Sequence, residues 1–449
     1  MTPNMTLNRS HDAARISWIE SANEPACDFP LQNLPYGLFR PGQGVEPRVG
    51  VAVGSAVIDL AAAAESGLLS PAESLSAPGA IGAACRQTSL NTLMSLGAPA
   101  WTALRNLLSD LLDADSTPAG ETRSRVEACL VPRSSVEMLL PAKIGDFTDF
   151  YASLAHASNV GSLFRPDQPL LPNYKWVPVG YHGRCSSIVA SGTPVRRPLG
   201  QFRAGDAATP TFGPSRQLDY EVELGALVGP GNLPGAPVPL ADAGRHLFGV
   251  VLLNDWSARD IQAWEYQPLG PFLAKNFATT LSPWVVTMEA LAPFRAATPF
   301  RPAGDPAPLP YLADPVDAAQ GGLDLTLEAW LLTARMRAAG AAPIRLSSGN
   351  FRRMYWTLAQ LLAHHTSNGC NLRPGDLLGS GTVSGDTPDS RGCLLELTRR
   401  AAEPVRLPNG ETRGFLEDGD EVILRGYAER AGFRRIGLGE CRGLVVPAA

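Results

Sequence analysis

The most informative pattern in the chain is the alternation of apolar and acidic residues over positions 218–224, within the strand-like run 218–228. Successive side chains of a strand point to opposite faces, so Glu221 and Glu223 share one face while the apolar residues between and beside them share the other. Such a pair is typical of a solvated strand face. In a cleft it would instead form half of a site for a hard metal ion. The pattern alone leaves both interpretations open.

A second run, residues 248–255, is apolar until it ends in a polar group, and it predicts a buried strand followed by a helical turn. A helix that begins there places Asp255, Arg259 and Gln262 on one face, which Tyr266 continues. A polar stripe of this kind is costly to bury without partners or a function. A simple helix N-cap at Asp255, or a surface ion pair with Arg259, is the alternative.

A third polar group lies in residues 144–165, where Asp149 stands among aromatic residues and His156 follows seven positions later. A carboxylate in such surroundings needs a cation or several hydrogen-bond donors. The histidine lies two turns further on if the segment is helical. A structural, hydrogen-bonded histidine is the alternative for His156. The adjacent His364 and His365 point to different sides of a helix and are predicted to be structural.

The same patterns divide the chain into parts. Residues 1–27 are predicted to be a disordered extension. From residue 28 to residue 140 we expect a small β module with a helical linker, because apolar residues in 61–130 follow helical spacing. Residues 141–449 are punctuated by Gly and Pro and predict a large, mainly β domain, in which the Pro-rich run 301–315 is a surface loop.

Composition narrows the class of protein. A chain of 449 residues with 45% hydrophobic and 18% charged residues predicts a globular protein of about two domains. The net charge of −5 argues against nucleic-acid binding. The sequence lacks an apolar run of about 18 residues and the apolar core of a secretion signal, so we expect no membrane segment and a cytoplasmic location. Seven cysteines without a CxxC pair are predicted to be reduced core residues.

The motifs of nucleophile elbows, phosphate-binding loops and dinucleotide-binding folds do not occur in the sequence. The candidate chemistry therefore rests on carboxylates, amides, His156, Lys275 and Arg259. Sites rich in oxygen ligands and free of thiols suit Ca²⁺ or Mg²⁺.

Five long motifs, in order along the chain, resemble the fumarylacetoacetate hydrolase family. They are KIGDFTDFYASLAHASNVGSLFR (143–165), VPVGYHGRCSSIVASGTPVRRPLGQ (177–201), LDYEVELGALVGPGN (218–232), FGVVLLNDWSARDIQAWEYQPLGPFLAKNFATTLSPWVV (248–286) and NGCNLRPGDLLGSGTVSG (368–385). The resemblance implies a mainly β protein with some α structure: an N-terminal SH3-like β-barrel, then a large mixed β-roll catalytic domain. It also implies a homodimer with active sites near the dimer interface.

The resemblance implies a role for each of the candidate residues. The Ca²⁺ ligands fall on Asp149, Glu221, Glu223 and Asp255. The catalytic base falls on His156, oriented by Glu396. The groups around the reacting oxygens fall on Arg259, Gln262 and Lys275. The substrate contacts fall on Tyr151, Arg165, Tyr181, Gln262, Tyr266 and Thr382. A second, structural Mg²⁺ site falls on Asp255, Lys275 and Thr279.

The sequence departs from the family pattern around Lys275. Ala274 and Ala278 stand where the pattern has glycine, and Asn276 replaces serine. A methyl group added at a glycine position could shift the backbone, and with it Lys275 and the Mg²⁺ site.

The activity implied by the resemblance is metal-dependent hydrolysis of the carbon–carbon bond of a β-diketone, 4-fumarylacetoacetate. The products are fumarate and acetoacetate, in the last step of tyrosine and phenylalanine degradation. The partner would be a small diketo acid, with His156 taking a proton from water. Acylpyruvate hydrolysis and oxaloacetate decarboxylation, reactions of other members of the same fold, are the alternatives, and a metal-binding scaffold without turnover is a third.

Overall fold

The computed structural model describes residues 6–72, 79–203, 205, 207–299 and 301–449. Its first five strands pair in an antiparallel ladder, in which the first strand of the chain pairs with both the second and the fifth. These strands are β1 (Tyr36–Arg40), β2 (Arg48–Val53), β3 (Ala56–Asp59), β4 (Leu130–Pro132) and β5 (Glu137–Leu139). Among the described residues they do not close into a barrel. The SH3-like form of this part therefore stays a prediction.

Helices fill the connection between β3 and β4, as the apolar spacing predicts. They are α1 (Leu60–Glu65), α2 (Ala80–Cys85), α3 (Asn91–Ser95), α4 (Ala98–Leu112) and α5 (Glu121–Glu127). The longest, α4, buries Trp101, Leu104 and Leu108, which recur at helical spacing on one face. Helix α4 thereby covers one side of the N-terminal ladder.

Residues 6–27 pack on the folded chain, with residues 9–18 against α4, instead of forming the disordered extension that we predicted. Ser17 Oγ donates a hydrogen bond to Leu112 O at 2.9 Å, and Arg105 Nε donates to Ser10 Oγ at 2.9 Å. Polar contacts hold this segment, so its sequence has no apolar periodicity to reveal it. Residues 1–5, the rest of the predicted extension, lie outside the described residues.

The remainder of the chain consists of many short strands. They are β6 (Phe147–Phe150), β7 (Gly180–His182), β8 (Ile188–Ala190), β9 (Val195–Arg196), β10 (Leu199–Phe202), β11 (Thr211–Pro214), β12 (Leu218–Asp219), β13 (Val222–Val228), β14 (Leu247–Asp255), β15 (Ser257–Ala258), β16 (Thr279–Leu281), β17 (Trp284–Thr287), β18 (Arg295–Ala296), β19 (Gly322–Leu323), β20 (Thr326–Leu332), β21 (Ile344–Asn350), β22 (Leu377–Gly379), β23 (Val405–Arg406), β24 (Thr412–Arg413), β25 (Glu421–Ala428) and β26 (Ile436–Val446).

Short helices connect these strands. They are α6 (Leu154–Phe164), α7 (Leu240–Ala243), α8 (Arg259–Glu265), α9 (Pro315–Gln320), α10 (Ala334–Ala338), α11 (Leu358–Thr366) and α12 (Leu394–Leu397). Among the described residues, a helix with the length and apolar character needed to cross a bilayer is not found. The seven cysteines, all described, are free thiols as predicted, but only four of them are buried, since Cys370 is exposed and Cys27 and Cys185 are half-buried.

One sheet joins the two halves of the chain. In the described part it has 13 strands, with the central order β4-β3-β2-β1-β17-β14-β13-β22-β6-β7. The pairing of β1 with β17 makes the N-terminal ladder continuous with the rest. Strands β13 and β14 are antiparallel, whereas β22 and β6 are parallel. The ends of β13, β14 and β6 therefore lie near one another.

A second sheet, with the order β21-β20-β25-β26-β9, packs on one face of β13 and β14. Even-numbered residues of those two strands, such as Leu224 and Leu252, enter this core together with Leu327. Odd-numbered residues, such as Val251 and Leu253, enter a separate core beside the N-terminal helices. The carboxylates at 223 and 255 continue the odd-numbered face.

Candidate active site

Four buried carboxylates meet at the ends of neighbouring strands. Glu223 lies in β13, Asp255 ends β14, Asp149 lies in β6, and Glu221 occupies the gap between β12 and β13. One oxygen from each lies within 4.8 Å of the others. We call these four residues the carboxylate cluster. The predicted strand over 218–228 is interrupted there, because the Glu221 amide donates to Asn254 Oδ1 at 3.1 Å.

Two cationic side chains lie against the carboxylate cluster. Lys275 Nζ is 2.7 Å from Glu221 Oε2 and 2.7 Å from Asp255 Oδ2, and Arg259 Nη1 is 2.7 Å from Glu221 Oε1. Burial alone would raise the pKa of Glu221, but the charges of Lys275 and Arg259 outweigh it, and this pKa lies below its ordinary value. Glu221 is therefore a carboxylate bridged by two cations.

The other side of the cluster has too little positive charge. Burial raises the pKa of Asp149 and of Glu223 well above the ordinary values, and the neighbouring carboxylates raise both further. The Gly381 amide donates to Glu223 Oε2 at 3.0 Å and to Asp149 Oδ1 at 3.2 Å. Within the described residues, Glu223 Oε1 is buried without a hydrogen-bond partner. An orphaned carboxylate oxygen in a set of oxygen donors fits a hard divalent cation.

The alanines that depart from the family pattern are accommodated in apolar space. Ala274 is buried in a small apolar cluster, and Ala278 enters the main core. The ammonium group of Lys275 still reaches Asp255, and Thr279 Oγ1 donates to Asp255 Oδ1 at 3.3 Å. The added methyl groups therefore leave Lys275 and Thr279 beside the same carboxylate.

The predicted helix face at Asp255 is wrong. Asp255 is the last residue of β14, and α8 begins four residues later with Ala258 as its N-cap. Asp255 and Arg259 are linked through Lys275 and Glu221 and not through one helix face. Gln262 Oε1 accepts a hydrogen bond from Arg259 Nη1 at 3.1 Å, one turn along α8.

His156 and Glu396 form a buried pair beside the cluster. His156 Nδ1 lies 2.6 Å from Glu396 Oε2, while Asn159 Nδ2 and Ser384 Oγ each donate to this carboxylate at 2.8 Å. Burial alone would raise the pKa of Glu396, but His156 and the donors outweigh it and lower the pKa to about 2. A carboxylate acceptor places the proton of a neutral His156 on Nδ1 and leaves Nε2 free to take another.

Three of the residues expected to contact substrate lie next to these groups. The Tyr151 ring stands edge-on to the His156 ring with centroids 5.2 Å apart. Tyr181 OH donates to Asp255 Oδ2 at 2.9 Å. Thr382 is buried, and within the described residues its Oγ1 has no hydrogen-bond partner.

Arg165 and Tyr266 do not join this arrangement. Both side chains are exposed. Arg165 Nη2 donates to Pro169 O at 3.1 Å, and Tyr266 OH accepts from Gln267 Nε2 at 3.1 Å. Their hydrogen bonds are to sequence neighbours and not to the carboxylate cluster.

Sequence reasoning missed several polar partners. Asp219 Oδ2 accepts from Arg259 Nε at 2.9 Å, and Asn159 and Ser384 bond to Glu396. Asp219 could have been found, because it precedes Glu221 by two residues and continues the same acidic alternation. The spacing of Asn159 and Ser384 carries no comparable signal.

A buried carboxylate cluster that could hold a metal ion, beside a histidine–carboxylate pair, is an arrangement typical of metal-assisted hydrolases. The chain belongs to the fumarylacetoacetate hydrolase family. The model of the fumarylacetoacetate (FAA) hydrolase C-terminal part matches residues 146–446, and that of the fumarylacetoacetase N-terminal part matches residues 32–141.

Relatives in this family match nearly the whole chain. Fumarylacetoacetase of Oryza sativa subsp. japonica is 46% identical over 96% of this chain and 97% of the relative. That of Rattus norvegicus is 47% identical and that of Caenorhabditis elegans 49% identical, each over 94% of this chain and 97% of the relative.

Proposed function

We propose that this enzyme hydrolyses fumarylacetoacetate to fumarate and acetoacetate, with a divalent cation held by the carboxylate cluster. Relatives that are 46 to 49% identical over nearly the whole chain are fumarylacetoacetases, and the chain is a hydrolase that acts on carbon–carbon bonds. The observation that carries the proposal is the placement of the carboxylate cluster beside the His156–Glu396 pair. The reaction would complete tyrosine degradation.

The four members of the carboxylate cluster would hold the cation, which we propose to be Ca²⁺. When bound, the ion supplies Lewis-acid chemistry at the diketone oxygens. The orphaned oxygen of Glu223 and the raised pKa values of Asp149 and Glu223 support this site. A second, structural Mg²⁺ site beside Asp255, Lys275 and Thr279 is a further proposal, supported by the oxygen atoms of Asp255 and Thr279.

His156 would act as the general base. Glu396 holds the Nδ1 proton, so Nε2 can take a proton from the attacking water. The same carboxylate then stabilises the imidazolium ion that forms, since it remains charged at neutral pH. His156 can later return the proton to the leaving carbon, which gives acetoacetate.

Arg259, Gln262 and Lys275 would stabilise the alkoxide that forms when water adds to the carbonyl. Within the described residues, Arg259 Nη2 is buried without a partner. Gln262 accepts through its oxygen and keeps its amide hydrogens as donors. Donors of this kind are worth about 3–4 kcal/mol each in the transition state.

Substrate contacts are proposed for Tyr151, Tyr181 and Thr382 around the reacting centre. Arg165 and Tyr266 are exposed, and we propose that they bind the outer carboxylates of the substrate. The guanidinium group of Arg165 and the hydroxyl group of Tyr266 can each donate hydrogen bonds to a substrate carboxylate.

The division into a 28–140 N-terminal domain of SH3-like form and a 141–449 catalytic domain remains a proposal. It is supported by the separate matches to residues 32–141 and 146–446. A cytoplasmic homodimer is also proposed. Exposed apolar residues that follow α8, Leu269 at 96% and Phe272 at 61%, support an interface there. Light scattering on the purified protein tests the dimer.

The test is a spectrophotometric assay of fumarylacetoacetate disappearance, combined with identification of the products. We expect fumarate and acetoacetate in equal amounts. Release of carbon dioxide from oxaloacetate, or cleavage of acylpyruvates with fumarylacetoacetate left intact, would establish the corresponding alternative. A protein that binds the cation but turns over none of these substrates would be a scaffold.

A further inference from the structure

Asp219 is a fully buried carboxylate, 0% exposed, whose two oxygens accept four hydrogen bonds. Its Oδ1 accepts from Tyr220 N at 2.9 Å and from Leu394 N at 2.8 Å. Its Oδ2 accepts from Leu395 N at 3.0 Å and from Arg259 Nε at 2.9 Å. Both oxygens of Asp219 are therefore fully engaged by protein donors.

Three of the four donors to Asp219 belong to two separate functional elements. Leu394 and Leu395 open α12, the turn that carries Glu396, and its N-cap residue makes no side-chain capping bond. Arg259 opens α8 and contacts Glu221 of the carboxylate cluster. Asp219 thus joins the element that orients the base to the element that carries the oxyanion donor.

We propose that Asp219 is a positioning residue for the reaction, which fixes Arg259 and the Glu396 turn relative to one another. This inference rests on the proposed function. Helix α12 spans only Leu394–Leu397, so few internal hydrogen bonds hold it in place. Arg259 without Asp219 would keep its contact with Glu221 through Nη1 but lose the contact that fixes Nε. Without Asp219, the Arg259 guanidinium and the turn that carries Glu396 would both become more mobile.

The change Asp219→Asn removes the negative charge of the side chain but keeps nearly the same shape. An asparagine amide offers one acceptor oxygen and two N–H donors. The amide oxygen can accept the two hydrogen bonds made at one oxygen position of Asp219. At the other position the NH₂ group would face two donors, and those hydrogen bonds would be lost. The buried guanidinium of Arg259 also loses a charged partner, which is destabilising by itself. A control for the loss of a buried Asp–Arg pair is therefore required.

Asp420 provides that control. It is also 0% exposed, and it accepts from Arg413 Nε at 2.8 Å, from Arg413 Nη2 at 3.0 Å and from Glu417 N at 2.9 Å. Neither Asp420 nor Arg413 hydrogen-bonds to the carboxylate cluster or to the His156–Glu396 pair in the described residues. Asp420→Asn therefore removes a comparable buried charge without touching the site.

The experiment compares wild-type protein, Asp219→Asn and Asp420→Asn, all loaded with Ca²⁺. We expect both variants to lower Tm, while Asp219→Asn alone lowers kcat on fumarylacetoacetate, by about tenfold or more, with KM changed less than about threefold. Equal kcat values for the two variants would overturn the proposal. If Asp219→Asn yields no folded protein, Asp219→Glu replaces it, since it keeps the charge but moves the oxygens by one methylene. A wild-type kcat in that variant would likewise overturn it.

A spectroscopic readout separates this inference from the proposed function. The Nδ1 proton of His156, in its short bond to Glu396, should give a low-field proton resonance in ¹⁵N-histidine-labelled enzyme. We expect Asp219→Asn to shift or broaden this resonance and Asp420→Asn to leave it unchanged. An unchanged resonance in both variants overturns the positioning role. Absence of wild-type turnover would instead overturn the proposed function, and the resonance would still decide the role of Asp219.

Discussion

His156 Nδ1 lies 2.6 Å from Glu396 Oε2, and both side chains are buried. We predict that Glu396→Gln lowers kcat by about 10²-fold or more, because the amide no longer fixes the proton on Nδ1 or stabilises the imidazolium ion. Steady-state kinetics at neutral pH provides the measurement. Ser384→Ala is the matched control, since it removes one donor to Glu396 but keeps the carboxylate, and its loss should be smaller. Similar losses in the two variants would contradict the role given to the charge.

The lowered pKa of Glu396 also predicts how stability depends on pH. Its value of about 2, against an ordinary 4.5, means that the folded protein favours the carboxylate. This contribution, about 3 kcal/mol, is present above pH 4.5 and is lost as the pH falls toward 2. Denaturant unfolding at pH 7 and pH 3 should therefore show a smaller stability difference between wild-type protein and Glu396→Gln at the lower pH. A difference that stayed constant would rule out the pKa shift.

Strand geometry allowed part of this site to be predicted from the sequence. Alternation alone places Glu221 and Glu223 on one face. The helix expected at Asp255 was wrong because Asp255 pairs with Thr279 of β16 and so stays extended, a contact that local spacing does not contain. The partnership of Asp149 with Glu223 likewise depends on β22, which pairs with both β6 and β13. Only long-range pairing brings such residues together.

The alanine at position 274 leads to a prediction about packing. Ala274→Gly should lower the free energy of unfolding by about 1 kcal/mol, since it empties a methyl site beside Ala258 and Ile261 and loosens the backbone. Turnover should stay within about twofold of wild type, because Lys275 reaches Asp255 with the alanine in place. Urea unfolding and kinetics give the two values. A large gain in kcat would show that the methyl group holds Lys275 away from its productive position.

Removal of the charge at Glu223 tests the metal site without using activity. Burial and the charges of Asp149 and Asp255 raise the pKa of Glu223, so this carboxylate is disfavoured when no cation is bound. Metal-free Glu223→Gln should therefore have a Tm equal to or above that of metal-free wild type, while the amide oxygen keeps the bond from Gly381. With Ca²⁺ at 100 times its Kd, wild-type protein should gain about 2.7 kcal/mol, and the variant much less. Glu289→Gln is the control, because Glu289 is buried but bonds to Asn8 and Thr102, outside the cluster, and should keep the full Ca²⁺ response. An equal Ca²⁺-induced gain in Glu223→Gln and wild type, measured by calorimetry, would exclude Glu223 from the ligand set.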